Sequence, residues 1–321
     1  MLLLPFLTAA QAWAQGSQQV ASPVRHRIGL YVTDLYGLDP TRGTFGASLW
    51  VWSVGPASAQ ALRTMEFANA DRVAIDLETI APRGAVAWSQ RRVNGTVRHS
   101  WDLRSFPFDR HSLEILLEEG AQEEDTLAYA ADAANSGHSL HASVGGWRVA
   151  GMRVEVVPAS YATSFGDPMS SAPGGSRFAR LRAVLELERT NYTGFLKLTA
   201  TLYAAFLICV IGSVLTMTAT TFAPRITLLG ISLFALVVSM RAASAALGSE
   251  HAVTLTDMLH VAGLAYVVAV TAVTVLVRMR LERTADGAPG PARLDRWGCF
   301  GAAALFVLGN AWLLLRAASG V

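Results

Sequence analysis

Tyr192 divides this chain into two kinds of sequence, and that division limits the folds open to it more than any other feature. Beyond Tyr192 lie four apolar runs, at about 195–217, 222–247, 253–277 and 297–315. Each is close to or above the roughly 20 residues an α-helix needs to cross the hydrocarbon core of a bilayer. Before Tyr192 the segments are short, alternating and bounded by turn residues. The composition agrees: 52% of the 321 residues are hydrophobic and 16% are charged, against about 25% charged in an average soluble protein. A net charge of +2 without dense Lys/Arg runs leaves no electrostatic footprint for wrapping nucleic acid. Cys209 and Cys299 both lie in apolar stretches, so they read as packed residues, and neither a disulfide framework nor a metal cluster can be built from them. No cofactor is expected.

Sidedness follows from the arginines. The loop at 278–296 carries Arg278, Arg280, Arg283, Arg293 and Arg296, which by the positive-inside rule puts it in the cytoplasm. Four spans then leave the N-terminal domain and the C-terminus outside. The first fourteen residues are apolar and end in the small-x-small triplet Ala12-Trp13-Ala14, which reads as a secretory signal cleaved before Gln15. The expected location is a bacterial inner membrane, with residues 15–190 in the periplasm and 191–321 forming the membrane domain. Gly287-Ala-Pro-Gly-Pro291 marks the cytoplasmic loop as flexible.

In the outward domain the expected strands are 28–36, 45–54, 73–80, 85–93, 96–103, 111–117, 147–157 and 178–188. Their period-two alternation, clearest where Leu181, Ala183, Leu185 and Leu187 interleave with charged residues, predicts an all-β immunoglobulin-like sandwich. The predicted architecture is that sandwich followed by an all-α four-helix transmembrane bundle. The stretch 169–176, rich in Ser, Gly and Pro, predicts a loop long enough to cover a site between two strands.

Four motifs in order carry a family resemblance: Leu30-Tyr-Val-Thr-Asp-Leu-Tyr36, Phe45-Gly-Ala-Ser-Leu-Trp-Val-Trp52, Phe106-Pro107-Phe108-Asp109, and Arg189-Thr-Asn-Tyr192 just before the first span. Together they resemble the pentameric ligand-gated ion channels, the Cys-loop receptor superfamily, and most of all its prokaryotic branch, which lacks the cysteine pair. The resemblance implies a homopentamer around a central pore, gated by an agonist or by protons. It further implies that the turn at 37–41, Phe106–Asp109, Arg189 and the loop at 248–257 meet between the sandwich and the helices, with Asp109 paired to Arg189 and Asp39 or Asp34 as a further acidic partner. The competing reading has Arg189 reaching lipid headgroups. Ligands in the family bind between subunits in an aromatic cage, for which the candidates are Tyr161 and Phe178, with Trp50 or Trp52 from the neighbouring face. Trp50 and Trp52 share a face opposite Leu49 and Val51, and packing into the sandwich competes with a ligand role for both. Where amine-binding relatives place an aromatic, this chain reads Glu119-Gly120-Ala121, which argues against an amine agonist. His99, His111, His138 and His141 allow proton gating instead.

The second span also carries a pore reading of its own. Thr227, Ile231, Phe234, Val238 and Arg241 recur at steps of four, three, four and three, the period that keeps one helical face toward a symmetry axis. Ordinary packing in a membrane bundle gives the same spacing. Arg241 favours a water-lined stripe, because an arginine in hydrocarbon is expensive, unless it reaches toward Glu250. In the pore reading Thr227 is the polar narrowing, while Ile231, Phe234 and Val238 form a gate that closes by dewetting. Five copies of Arg241 would favour anions. Ala223-Pro224-Arg225 resembles the entrance of anion-selective members, and no acidic residue lies between Arg189 and Glu250. Pro224 also suits the first residue of a helix. A non-conducting pentameric receptor or scaffold is the alternative. Catalysis is not expected, since neither G-x-S-x-G nor H-E-x-x-H occurs.

Overall fold

The computed structural model describes residues 22–58, 60–139, 145–167, 175–248, 252–283 and 289–319. The expected signal segment, His141, Glu250 and most of the loop at 169–176 lie outside the described residues. The strands are β1 (Val24–Asp39), β2 (Thr44–Pro56), β3 (Met65–Phe67), β4 (Ala70–Arg83), β5 (Val86–Arg98), β6 (Arg110–Glu123), β7 (Leu127–Ala131), β8 (Gly137–His138), β9 (Trp147–Val156), β10 (Ala159–Tyr161) and β11 (Ser176–Arg189). A single helical turn, α1 (Ala61–Thr64), follows β2. The long helices are α2 (Thr193–Val214), α3 (Ala219–Leu247), α4 (Leu255–Arg283) and α5 (Pro289–Ser319).

One sheet runs β4-β5-β2-β1-β7, with β8 also paired to β1; the other runs β10-β11-β6-β3, with β9 also paired to β11. Alternation explains how the sheets face each other. Phe45, Ala47, Leu49 and Val51 of β2 point into one core together with Leu113, Ile115 and Leu117 of β6 and Leu181, Ala183, Leu185 and Leu187 of β11. The expected strands 85–93 and 96–103 are in fact one strand, β5, paired to β2 along its whole length. Gly95 is not a turn: a Cβ there would stand 3.2 Å from the Arg72 carbonyl oxygen, so glycine lets β4 close on β5. Beyond Arg98 the chain leaves the sheet and runs as a connection to Arg110.

All four long helices are apolar enough and long enough to cross a membrane. Their ends differ from expectation for local reasons. α3 starts at Ala219 because Thr218 and Thr221 form a reciprocal capping box, leaving Pro224 inside the helix and not at its first position. It stops at Gly248, whose left-handed φ of 63° closes the last turn. Asp257 caps α4, its Oδ2 accepting from Thr254 N at 2.9 Å and from Thr254 Oγ1 at 2.7 Å. The cytoplasmic loop expected at 278–296 is largely helical: α4 continues to Arg283, with Arg278 paired to Glu282 at 2.9 Å, and α5 begins at Pro289, so Pro289 and Pro291 occupy its first turn.

Candidate functional site

The two bodies are joined by the 99–109 connection. Phe106 leaves the sandwich and enters a second apolar core with Phe195 of α2 and Leu255 and Leu259 of α4. Leu255 N donates to the Arg104 carbonyl oxygen at 2.9 Å, and the Thr41 turn lies so close to Gly248 that a Cβ there would meet Thr41 Cα at 2.9 Å. Within this junction Arg189 Nε donates to Asp109 Oδ1 at 2.7 Å and Arg189 Nη2 to Oδ2 at 2.9 Å, a bidentate fork. The guanidinium lies over Trp147, 4.0 Å from the ring centroid, and over Phe106 at 4.8 Å. Pro107 follows Phe106 through a cis peptide, and Phe108 rests against Tyr192, centroids 5.8 Å apart.

Asp39 does not reach this fork. Its Oδ1 accepts from Thr41 N, Thr41 Oγ1 and Arg42 N, so it shapes the turn that meets α3, and Asp34 is exposed. The further partner is His111, whose Nε2 lies 2.9 Å from Asp109 Oδ2. Burial pushes the Asp109 carboxyl up, but the hydrogen bonds and charges of His111 and Arg189 outweigh it and hold the group below its ordinary value. His99 stands beside His111, ring centroids 5.7 Å apart. Neither the role of His111 nor that of Trp147 was legible in the sequence, because both come from tertiary packing.

At the far edge of the second sheet a cavity of about 530 Å³ opens under β10 and β11. Tyr161, Phe165 and Phe178 form its aromatic wall, with centroids 5.3 to 6.1 Å apart. Glu118 and Glu119 are both buried at its floor. Tyr161 Oη donates to Glu118 Oε1 at 2.7 Å, and Arg180 Nε donates to Oε2 at 2.5 Å. Burial, with the Glu118 charge beside it, raises the Tyr161 phenol. Glu119, read from sequence as the loss of an aromatic, instead gives the cavity a carboxylate. Its Oε1 accepts from Ala121 N at 3.2 Å and its Oε2 accepts from Tyr129 Oη at 3.3 Å. Trp50 and Trp52 are not core residues. They lie on the outer face of the first sheet, where Arg92 sits over Trp50 and Trp52 Nε1 donates to Asp132 at 2.9 Å. Within one chain they do not share a cavity with Tyr161 and Phe178.

On α3 the stripe points away from its own bundle. Ile231, Phe234 and Val238 are 55%, 72% and 50% exposed, and Thr227 and Arg241 are exposed as well. Packing within this chain therefore does not account for the spacing. The buried face carries Arg225, Leu229, Ser232, Leu236, Ala243 and Leu247. Arg225, expected at a pore entrance, is 0% exposed and points the other way. Its Nη1 donates to Asp295 Oδ2 at 2.9 Å and its Nη2 to Cys299 Sγ at 2.8 Å. Arg225 thus ties α3 to α5 and contributes no charge to the stripe. Nothing in the sequence singles out Asp295, which lies in the stretch expected to be a loop and stands in the first part of α5. In comparisons with known proteins the chain matches no family model and no curated protein sequence.

Proposed function

We propose that this chain is one subunit of a ligand-gated ion channel, a homopentamer in a bacterial inner membrane whose periplasmic sandwich governs a pore lined by α3. The observation that carries this reading is the stripe Thr227, Ile231, Phe234, Val238 and Arg241: every member exposed, on a helix whose opposite face is packed, and ending in an arginine with no partner among the described residues. A lumen shared by five copies gives Arg241 water in place of hydrocarbon and the apolar rings a place to dewet. Anion preference rests on Arg241 alone, since Arg225 is engaged with Asp295. The arginines of α4 and α5 mark the cytoplasmic end. Association is further supported by edge strand β4, whose Val73, Ile75 and Leu77 are exposed, a surface that natural sheets usually cover.

The cavity under β10 and β11 suits an organic cation, because its aromatic wall and the Glu119 carboxylate attract positive charge while Glu118 is already paired with Arg180. Trp50 or Trp52 of a neighbouring copy would close it. Protons are the other candidate stimulus. The test is current across a planar bilayer under a chloride gradient, using Phe234→Ala to weaken the gate without an agonist. A leak reversing near the chloride potential supports the reading, and reversal near the cation potential removes the anion preference. Silence from an assembled pentamer favours a non-conducting receptor.

A further inference from the structure

The junction contains more titratable groups than an aspartate–arginine clamp requires. His99 and His111 stand ring to ring, 5.7 Å apart and nearly perpendicular. Around them Trp101 lies 4.9 Å from His99 and 4.7 Å from His111, Trp147 lies 5.2 Å from His111, and Phe45 lies 6.2 Å from His99. Among the described residues neither imidazole borders an unoccupied carboxylate. Asp109 Oδ2 already serves His111 and Arg189, and His99 Nε2 is buried without a hydrogen-bond partner.

We propose that His99 is a proton sensor for the junction, its protonation releasing the clamp that Asp109, His111 and Arg189 form. The closed arrangement offers Nε2 of an imidazolium at His99 no acceptor, and the ring would add positive charge to a site that already holds Arg189. The charge is best solvated if the ring swings outward. Such a swing carries Trp101 and the start of the 99–109 connection, whose other end holds Phe106 and Asp109, so the strain arrives at the clamp.

The other charged groups nearby do not offset this. The turn after β1 contributes Arg42, ion-paired to Asp39 at 3.6 Å, and β4 and β5 contribute Arg72 and the Arg98–Asp71 pair; the three arginines and Asp71 line the cavity that His99 borders. In the connection Asp102 is held by Arg104. From β6, β9 and β11 come Arg110, Arg148 and Glu188, both arginines pairing with Glu188. Among the described residues, α3 and its cap contribute only Ala245 and Gly248 to the neighbouring cavity. Among the described residues the ion pairs cancel and Arg72 leaves the balance at His99 cationic. In line with it, burial first and His111 second lower His99 from 6.5 to about 4. An open state in which the imidazole regains its ordinary value gains roughly 20-fold over the closed one between pH 7 and pH 5.

The inference rests on the proposed function only for what an open junction does to a pore, and its test needs no current. Hydrogen exchange of the full chain in lipid nanodiscs, divided by intrinsic rates, reads opening of the peptides covering 99–111 and 186–192. The expected result is a rise of roughly 20-fold between pH 7 and pH 5. It should fall below about threefold in His99→Gln and in His99→Phe, the latter keeping a ring between Phe45 and Trp101. A pH-independent junction in the native protein, or an undiminished rise in a folded variant, overturns the proposal. Acid opening in a pentamer that passes no current supports the sensor and overturns only the channel reading, whereas a conducting protein with a pH-blind junction does the reverse.

Discussion

Replacing Asp109 by asparagine keeps the shape of the junction and removes one charge. Asp109 accepts from Arg189 through both oxygens, at 2.7 and 2.9 Å, and from His111 at 2.9 Å, and its side chain is buried. The substitution leaves a guanidinium with no carboxylate in a site walled by Trp147 and Phe106. Breaking a buried pair from one side costs about 3–5 kcal/mol, and the partial exposure of Arg189 puts this case near the lower end, about 3 kcal/mol. Arg189→Gln should cost a similar amount by stranding the carboxylate. Together the two changes should cost far less than their sum, leaving a coupling of about 2–3 kcal/mol in a double-mutant cycle. For a chain of this size 1 kcal/mol moves the melting temperature by roughly 2–4 °C. Each single variant should therefore melt roughly 6–12 °C below the native protein in detergent, and the double variant well above the additive value. Additivity within 0.5 kcal/mol, the usual result for independent sites, would refute the claim that this pair holds the two bodies together.

Three other outcomes are expected. Asp295→Asn strands Arg225 inside the bundle and should cost about 3–5 kcal/mol, while Arg225→Met with Asp295→Leu recovers most of it, as thermal melts of the three variants can show. With pH, His99 is lowered in the fold, so stability is full above 6.5 and falls as the pH drops from 6.5 toward about 4. Asp109 is also lowered, so its contribution is present above 3.8 and is lost as the pH falls below that value; melting curves from pH 8 to pH 3 should show a smaller loss below 6.5 in His99→Phe than in native protein, the remainder coming from His26, which burial also lowers. Choline, as a probe of the cavity, should bind 5- to 30-fold more weakly to Phe178→Ala by calorimetry, the range about 1–2 kcal/mol of cation–π attraction allows; equal affinity would remove Phe178 from the site.

The layers of this fold could be read from periodicity because they rest on it. Leu181 to Leu187 alternate and become a core strand, and the runs after Tyr192 become helices. Periodicity has no purchase on elements as short as β3, β8 and β10, nor on Asn94-Gly95, where a turn-like pair sits inside β5. Arg189 and Asp109 could be matched because the Phe-Pro-Phe-Asp motif and an arginine before a span form an ordered pair. His99 and His111 stand out in the sequence only as titratable residues; their place beside the clamp could not be read, since only folding brings the strand, the connection and Trp147 together. The facing of α3 needed the structure as well. A stripe at helical spacing has two sides, and Arg225 looked like the pore charge until its partner Asp295 was seen on α5.

The central claim is that the α3 stripe faces water and not lipid. Single cysteines at Val238 and Arg241, and at Leu236 on the packed face, can be tested with a charged thiosulfonate in sealed proteoliposomes, the native Cys209 and Cys299 being buried. The expected result is rapid modification at 238 and 241, suppressed by a bulky anion that enters from the outside, and none at 236. Labelling of 238 and 241 by a lipid-soluble maleimide alone would contradict the account.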